Sequence, residues 1–210
     1  MYHFRYVPKS EYAEAKRQVI ELLHLVQDEV RDRFTFRYDF IGSVERNMVT
    51  MDETSNIGYD FDINIEVNDD EQNYKAIQIK QILQAGFDKY VGRFQYSPCE
   101  DSTRVLTIKV KDTKRSKILH SVDFAIVNNY GDGQQEYIRH NKTDGSYQWV
   151  EQPDGYYKQR ERIEVLKDEG YWQEVRDVYL FKKNNNTQRK KSRALFAETI
   201  NEVFLKYFRD

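Results

Sequence analysis

At 210 residues the chain is long enough for one large domain or two small ones, and 33 basic against 35 acidic residues leave a net charge of -2. That balance excludes a cationic nucleic-acid coat and leaves any anionic ligand to local clusters. A single cysteine, Cys99, excludes an intrachain disulfide, and with four scattered histidines no spacing resembles a zinc site.

A reducing cytoplasm is the expected compartment. The opening "MYHFRYVPKSEY" has no apolar core before a cleavage site, and no run of about 18 uncharged apolar residues occurs. Neither secretion nor membrane spanning is expected. The 16 tyrosines and 12 phenylalanines, set against three prolines, are assigned mainly to core and hairpin packing, with a few left to stack on bases.

In chain order, Val19, Leu22, Leu23, Val26 and Val30 recur at helical spacing and predict an amphipathic helix over residues 10 to 32, capped by Ser10. "FTFRYDFIG", from Phe34, alternates aromatic and polar residues and predicts a strand that turns at Gly42. Gly42 and Ser43 then precede "VERNMV", the first turn of a short helix. "YDFDINIEV" predicts a second strand, and "DDEQNYKAIQIKQILQAGF" a helix closing at Gly86. "RVLTIKVK" and "LHSVDFAIV" add two strands around the turn "DTKRSK". Beyond Tyr130 the pattern predicts a polar hairpin around Asp144-Gly145, a break at "PDG" and helices near 157 to 169, 171 to 183 and 189 to 208. The last carries Phe196, Ile200, Val203, Phe204 and Tyr207 on one face. The stretch 182 to 193, "KKNNNTQRKKSR", holds six basic residues and no acid.

The acids in "YDFDI" raise a chemical question. In a strand Asp60 and Asp62 point to one side while Phe61, Ile63 and Ile65 point to the other. An Asp-X-Asp pair commonly just faces water. Here a third acid, Asp123, sits in a strand otherwise fit for burial, where an isolated charge costs several kcal/mol. If the two strands are neighbours, three carboxylates share a patch that suits Mg²⁺ or Mn²⁺. Gly42 and Ser43 add an anion site, since glycine admits a phosphate close to the backbone and serine donates to it.

The order "IGS" at 41 to 43, "YDFDI" at 59 to 63 and "VDF" at 122 to 124 resembles the nucleotidyltransferase superfamily of the DNA polymerase β type, over roughly residues 34 to 127. The resemblance implies that Asp60, Asp62 and Asp123 ligate two Mg²⁺ (or Mn²⁺) ions. It also implies that Gly42 and Ser43 hold the triphosphate of a nucleoside triphosphate, and that Asp123 assists deprotonation of an acceptor hydroxyl. Arg46 and Asn47, further candidates to contact the phosphates, fall in the 16-residue interval between Ser43 and Asp60, which is longer than in compact members. The helical tail looks like that of the oligoadenylate synthase and bacterial cyclic-dinucleotide synthase branch.

Because a triphosphate carries about four negative charges, lysines such as Lys182, Lys183 and Lys190, with Lys191, become candidates to contact it. The expected fold is α/β: a mixed-sheet catalytic core over 1–130, then a hairpin and helical region over 131–210. The expected reaction moves a nucleoside monophosphate to a hydroxyl and releases pyrophosphate. The acceptor, whether nucleotide, RNA end, small molecule or protein, is left open. Two other readings fit fewer residues: a non-catalytic module of this fold, such as an antitoxin, has no use for three repelling acids, and a metal-dependent nuclease gives the Gly-Ser no task.

Overall fold

The computed structural model of the chain describes residues 2–56, 58–69, 72–130 and 134–208. In chain order the elements are β1 (Phe4–Tyr6), α1 (Lys9–Val30), β2 (Thr35–Ile41), α2 (Gly42–Glu45), β3 (Thr50–Asp52), β4 (Tyr59–Asn68), α3 (Ala76–Tyr90), β5 (Glu100–Asp101), β6 (Val105–Asp112), β7 (Lys117–Asn129), β8 (Gln135–Asn141), β9 (Ser146–Glu151), α4 (Asp154–Asp168), α5 (Trp172–Asn184) and α6 (Ser192–Tyr207). Two compact units result, one of Val7–Val49 with Asn56–Gln152, the other of Met1–Tyr6, Thr50–Ser55 and Pro153–Asp210. Among the described residues no helix is long and apolar enough to cross a membrane.

In the larger unit a seven-stranded mixed sheet runs β2-β4-β7-β6-β5. Only β4 and β7 pair in parallel; the other pairs described in this sheet are antiparallel. β6 covers one edge of β7 as far as Ala125, and β8 takes over that strand from Val127 to Asn129. The hairpin predicted around Asp144-Gly145 is β8 and β9, with Gly145 at φ +72 in the turn. It extends this sheet.

Period-two alternation gives the sheet an apolar back. Phe61, Ile63 and Ile65 of β4, Val122, Phe124 and Ile126 of β7 and Leu106 and Ile108 of β6 are all fully or nearly fully buried, each contributing about 1.5–3 kcal/mol. Helices α1 and α3 supply the opposing surface: Val19, Leu22, Leu23 and Val26 from one, Ile79, Leu83 and Phe87 from the other. Phe87 stacks on Phe124 with ring centroids 4.3 Å apart, and Tyr12 meets Phe61 edge-on at 5.8 Å.

Two predicted helix ends move. α1 starts at Lys9 with Pro8 as N-cap at φ -60, so Ser10 lies inside the first turn; proline's preset φ opens the helix without a side-chain cap. α3 does not close at Gly86 but runs on to Tyr90. Gly86 is there because a Cβ would come within 3.1 Å of Val26 Cγ1, so the missing side chain permits close approach of α1 to α3.

At the far end of the sheet Lys80 Nζ is buried 2.5 Å from Asp101 Oδ1 and donates to the Ser102 carbonyl at 2.9 Å. The Tyr147 hydroxyl donates to Asp101 Oδ2 at 2.6 Å, tying β9 to β5. Burial pulls the Lys80 pKa down, partly offset by Asp101.

The smaller unit pairs β1 with β3, antiparallel, and adds α4, α5 and α6. The "PDG" break is the start of α4, with Pro153 as N-cap. α6 buries Leu195, Phe196, Thr199, Ile200 and Val203, while Tyr207 stays 39 % exposed and stacks on Tyr171. The long interval after Ser43 contributes β3 to this unit, so it is neither a plain loop nor an extended helix.

Candidate active site

The front of the large sheet is built from the residues that alternate with its apolar back. Parallel pairing sets Asp62 directly opposite Asp123 and Asp60 opposite Ser121. Antiparallel pairing with β6 sets Thr107 opposite Asp123 and Lys109 opposite Ser121. Two cross-strand rows follow, Asp60-Ser121-Lys109 and Asp62-Asp123-Thr107, on one face of the sheet. The three predicted aspartates are thus neighbours on one patch, because β4 and β7 pair directly.

Each row contains a hydroxyl donor. Ser121 Oγ donates to Asp60 Oδ1, and Thr107 Oγ1 donates to Asp123 Oδ1 at 2.6 Å. Lys109 Nζ is held by Glu100 Oε2 at 2.6 Å. Burial pushes the Asp123 pKa up; the Thr107 hydroxyl opposes that shift, the charge on Asp60 adds to it, and Lys109 opposes it more weakly. Thr107, Lys109 and Ser121 were missed in sequence. Their signal was the alternation in "VLTIKVK" and the placing of Ser121 two residues before Asp123.

Gly42 closes the upper end of the Asp62 row. Ile41 pairs with Asp62, and the chain then turns at Gly42 with φ +67, where a Cβ would lie 2.5 Å from Asp62 Oδ2. Glycine is required both by the left-handed backbone and by the carboxylate beside it. Ser43 follows in α2, its carbonyl accepting from the Met48 amide at 2.7 Å. Arg46 is the C-cap of α2, and Asn47 continues at φ 55, a region that asparagine tolerates.

The four lysines proposed for the triphosphate belong to the smaller unit. Lys183 is buried, donates to Thr50 Oγ1 at 2.6 Å and lies 4.0 Å from the Phe4 ring centroid. Lys182 pairs with Glu202 at 2.7 Å and Lys190 with Glu198 at 2.6 Å. A groove of about 440 Å³ in the larger unit, lined by His24, Gln27, Asp28, Arg31, Thr35 and Phe36, contains none of the predicted residues.

The donor set on the patch is all oxygen, the chemistry that suits Mg²⁺ or Mn²⁺. Among the described residues, no three His, Cys, Asp or Glu side chains converge as a ready-made metal cage. Mg²⁺ commonly takes only one or two carboxylates and completes its shell with water and substrate phosphates. The adjacent Asp62 and Asp123 meet that smaller demand.

No protein-family model matches the chain, and no curated protein matches it at a significant level. Solved structures do. The chain is similar to the GTP-bound form of DncV from Vibrio cholerae, with TM-score 0.60 and 16% identity over 90% of this chain and 51% of that one. DncV cyclic AMP-GMP synthase in complex with a linear intermediate gives TM-score 0.59 and 14% identity over 90% and 53%. The CD-NTase CdnG of Bradyrhizobium diazoefficiens in complex with GTP gives 0.53 and 15% over 70% and 40%. The chain spans about half the length of these structures or less. At such identities the likeness is one of architecture: the chain shares the fold of DncV over 90% of its own length.

Proposed function

We propose that the chain is the catalytic core of a nucleotidyltransferase that moves a nucleoside monophosphate from a nucleoside triphosphate to an acceptor hydroxyl. The observation that carries this reading is the pairing of Asp62 with Asp123 across β4 and β7, beside Asp60 and under the turn at Gly42. Like charges directly opposite in neighbouring strands destabilise a sheet. A cation between them reverses that cost. The fold's likeness to GTP-bound structures supports a nucleotide as the ligand.

In this reading Asp60, Asp62 and Asp123 would hold two Mg²⁺ or Mn²⁺ ions, and Gly42 and Ser43 would take the triphosphate. Bound metal supplies neutralisation of the phosphate charge. The acceptor oxygen bonds to the α-phosphorus while the bond to the bridging oxygen breaks, pyrophosphate leaves with that electron pair, and the hydroxyl proton passes to Asp123. Positioning and charge neutralisation carry most of such a transfer.

The test is incubation of the purified protein with each labelled nucleoside triphosphate and Mg²⁺ or Mn²⁺, followed by separation of the products. Expected are a nucleotidylated product and pyrophosphate, both lost in Asp60→Ala and Asp62→Ala while the melting temperature holds or rises. Full Mg²⁺-dependent turnover by either variant refutes the assignment. No thermal shift with any nucleotide would favour a non-catalytic module.

A further inference from the structure

Thr107 lies in the strand beyond the aspartates and belongs to none of the motifs that drew attention to them. Its hydroxyl nevertheless makes a 2.6 Å hydrogen bond to Asp123 Oδ1 from the directly opposed position on β6. The same device recurs one pair away, where Ser121 on β7 donates to Asp60 on β4. In both rows a short hydroxyl residue faces a carboxylate across one strand spacing.

The choice of donor has a chemical consequence. A hydroxyl fixes the plane of a carboxylate yet adds no positive charge, so the acid keeps its negative charge available for a cation. Lysine or arginine in that place would hold the carboxylate as an ion pair and compete with metal. Lys109, whose field reaches Asp123, directs its ammonium to Glu100 instead. Threonine also suits the task mechanically: branching at Cβ restricts χ1, so the hydroxyl direction is set by the pleat of β6.

We infer that Thr107 is a positioning residue for the nucleotidyl-transfer centre, orienting Asp123 through one oxygen so that the other serves the metal and the acceptor hydroxyl. This rests on the proposed function, and it assigns to β6 a role that the three motifs do not contain. Loss of partners that orient a ligating carboxylate typically costs 10- to 100-fold in metal affinity or activity.

The experiment compares wild type with Thr107→Val, which keeps the shape and removes the hydroxyl, and Thr107→Ser, which keeps the hydroxyl. Mn²⁺ binding to the nucleotide-free protein is followed by electron paramagnetic resonance, and steady-state kinetics with the active nucleoside triphosphate are measured beside it. Thr107→Val should weaken Mn²⁺ binding and lower kcat by about 10- to 100-fold each, with KM for the nucleotide changed by less than about twofold and the metal-free melting temperature unchanged. Thr107→Ser should recover most of both losses.

Wild-type Mn²⁺ affinity in Thr107→Val overturns the inference, as does a Thr107→Ser variant as impaired as Thr107→Val. A fall in melting temperature that accounts for the lost binding makes the hydrogen bond merely structural, and also overturns it. If wild type turns over no nucleotide but binds Mn²⁺, the functional reading fails while the Mn²⁺ comparison still decides the role of Thr107. Absence of Mn²⁺ binding in wild type overturns both.

Discussion

Replacing Gly42 by alanine asks one methyl group to test the geometry of the site. The residue sits at φ +67, where an L-side chain costs about 1–2 kcal/mol. The new Cβ would also stand 2.5 Å from Asp62 Oδ2, closer than real Cβ atoms approach, and a tight 3.2 Å from its Cγ. Asp62 can yield by rotating its carboxylate, at a further cost of about 0.5–1.5 kcal/mol. The stability loss is therefore about 1.5–3.5 kcal/mol, or roughly 3–14 °C in melting temperature for a chain of this size.

Activity should fall much further. A displacement of about 1 Å in a catalytic group costs on the order of 100-fold, and the displaced group here is one of the three acids. Pyrophosphate release under saturating nucleotide and Mg²⁺ measures the rate, and urea denaturation the stability. A double-mutant cycle with Asp62→Asn locates the effect: if Gly42→Ala acts by moving Asp62, the two losses in rate are strongly non-additive. Wild-type kcat in a folded Gly42→Ala variant, or simple additivity, would refute the argument.

Gly58 gives a contrasting case. A Cβ there would overlap the backbone carbonyl of Leu119, which has no flexible end to move, so Gly58→Ala should cost about 3 kcal/mol or more in urea denaturation; a variant within 1 kcal/mol of wild type contradicts the packing described. His120 makes stability pH-dependent: it is buried 2.8 Å from the Tyr96 hydroxyl and stacked on Tyr59, and burial lowers its pKa from 6.5 to about 4. Between those values the unfolded chain binds the extra proton and the folded chain does not, so stability falls as pH falls through this window, by about 3 kcal/mol in all, and levels off below it. Urea midpoints from pH 7 to pH 4.5 should drop more steeply for wild type than for His120→Gln, and equal slopes would show that His120 is not held neutral.

The sheet's front and back were legible for the same reason: a period of two. Tyr-Asp-Phe-Asp-Ile-Asn-Ile announces both the buried row Phe61, Ile63, Ile65 and the acids opposite it. That β7 would lie beside β4 was a condition in the sequence, met only by the long-range parallel pairing. Gly86 misled because glycine after an apolar periodic run signals a helix end, whereas its cause here is the neighbouring Val26, 60 residues earlier in the chain. Lys183 was grouped with the basic stretch 182 to 193 as a candidate triphosphate contact, but it lies in the last turn of α5, buried beside Phe4 and Thr50. β1, β3 and β5, at two or three residues each, are too short for any periodicity to mark. Thr107 and Ser121 were readable as polar positions of strands; their partners were not, because register is set by tertiary packing.

That dependence on register is also what makes the back of the sheet matter to the front. A slip of one residue between β4 and β7 would turn Phe61 and Ile63 toward solvent and the aspartates into the core. The apolar face forbids this, since four or five buried side chains at about 1.5–3 kcal/mol each outweigh the 0.2–1 kcal/mol by which facing like charges disfavour the native register. The repulsion between Asp62 and Asp123 is therefore tolerated because Phe61, Ile63, Ile65, Val122 and Phe124 pin the two strands from behind. The core on α1 and α3 in this way sets the acid positions by backbone pairing, and the hydroxyls of Ser121 and Thr107 then set the side-chain orientation that pairing leaves open.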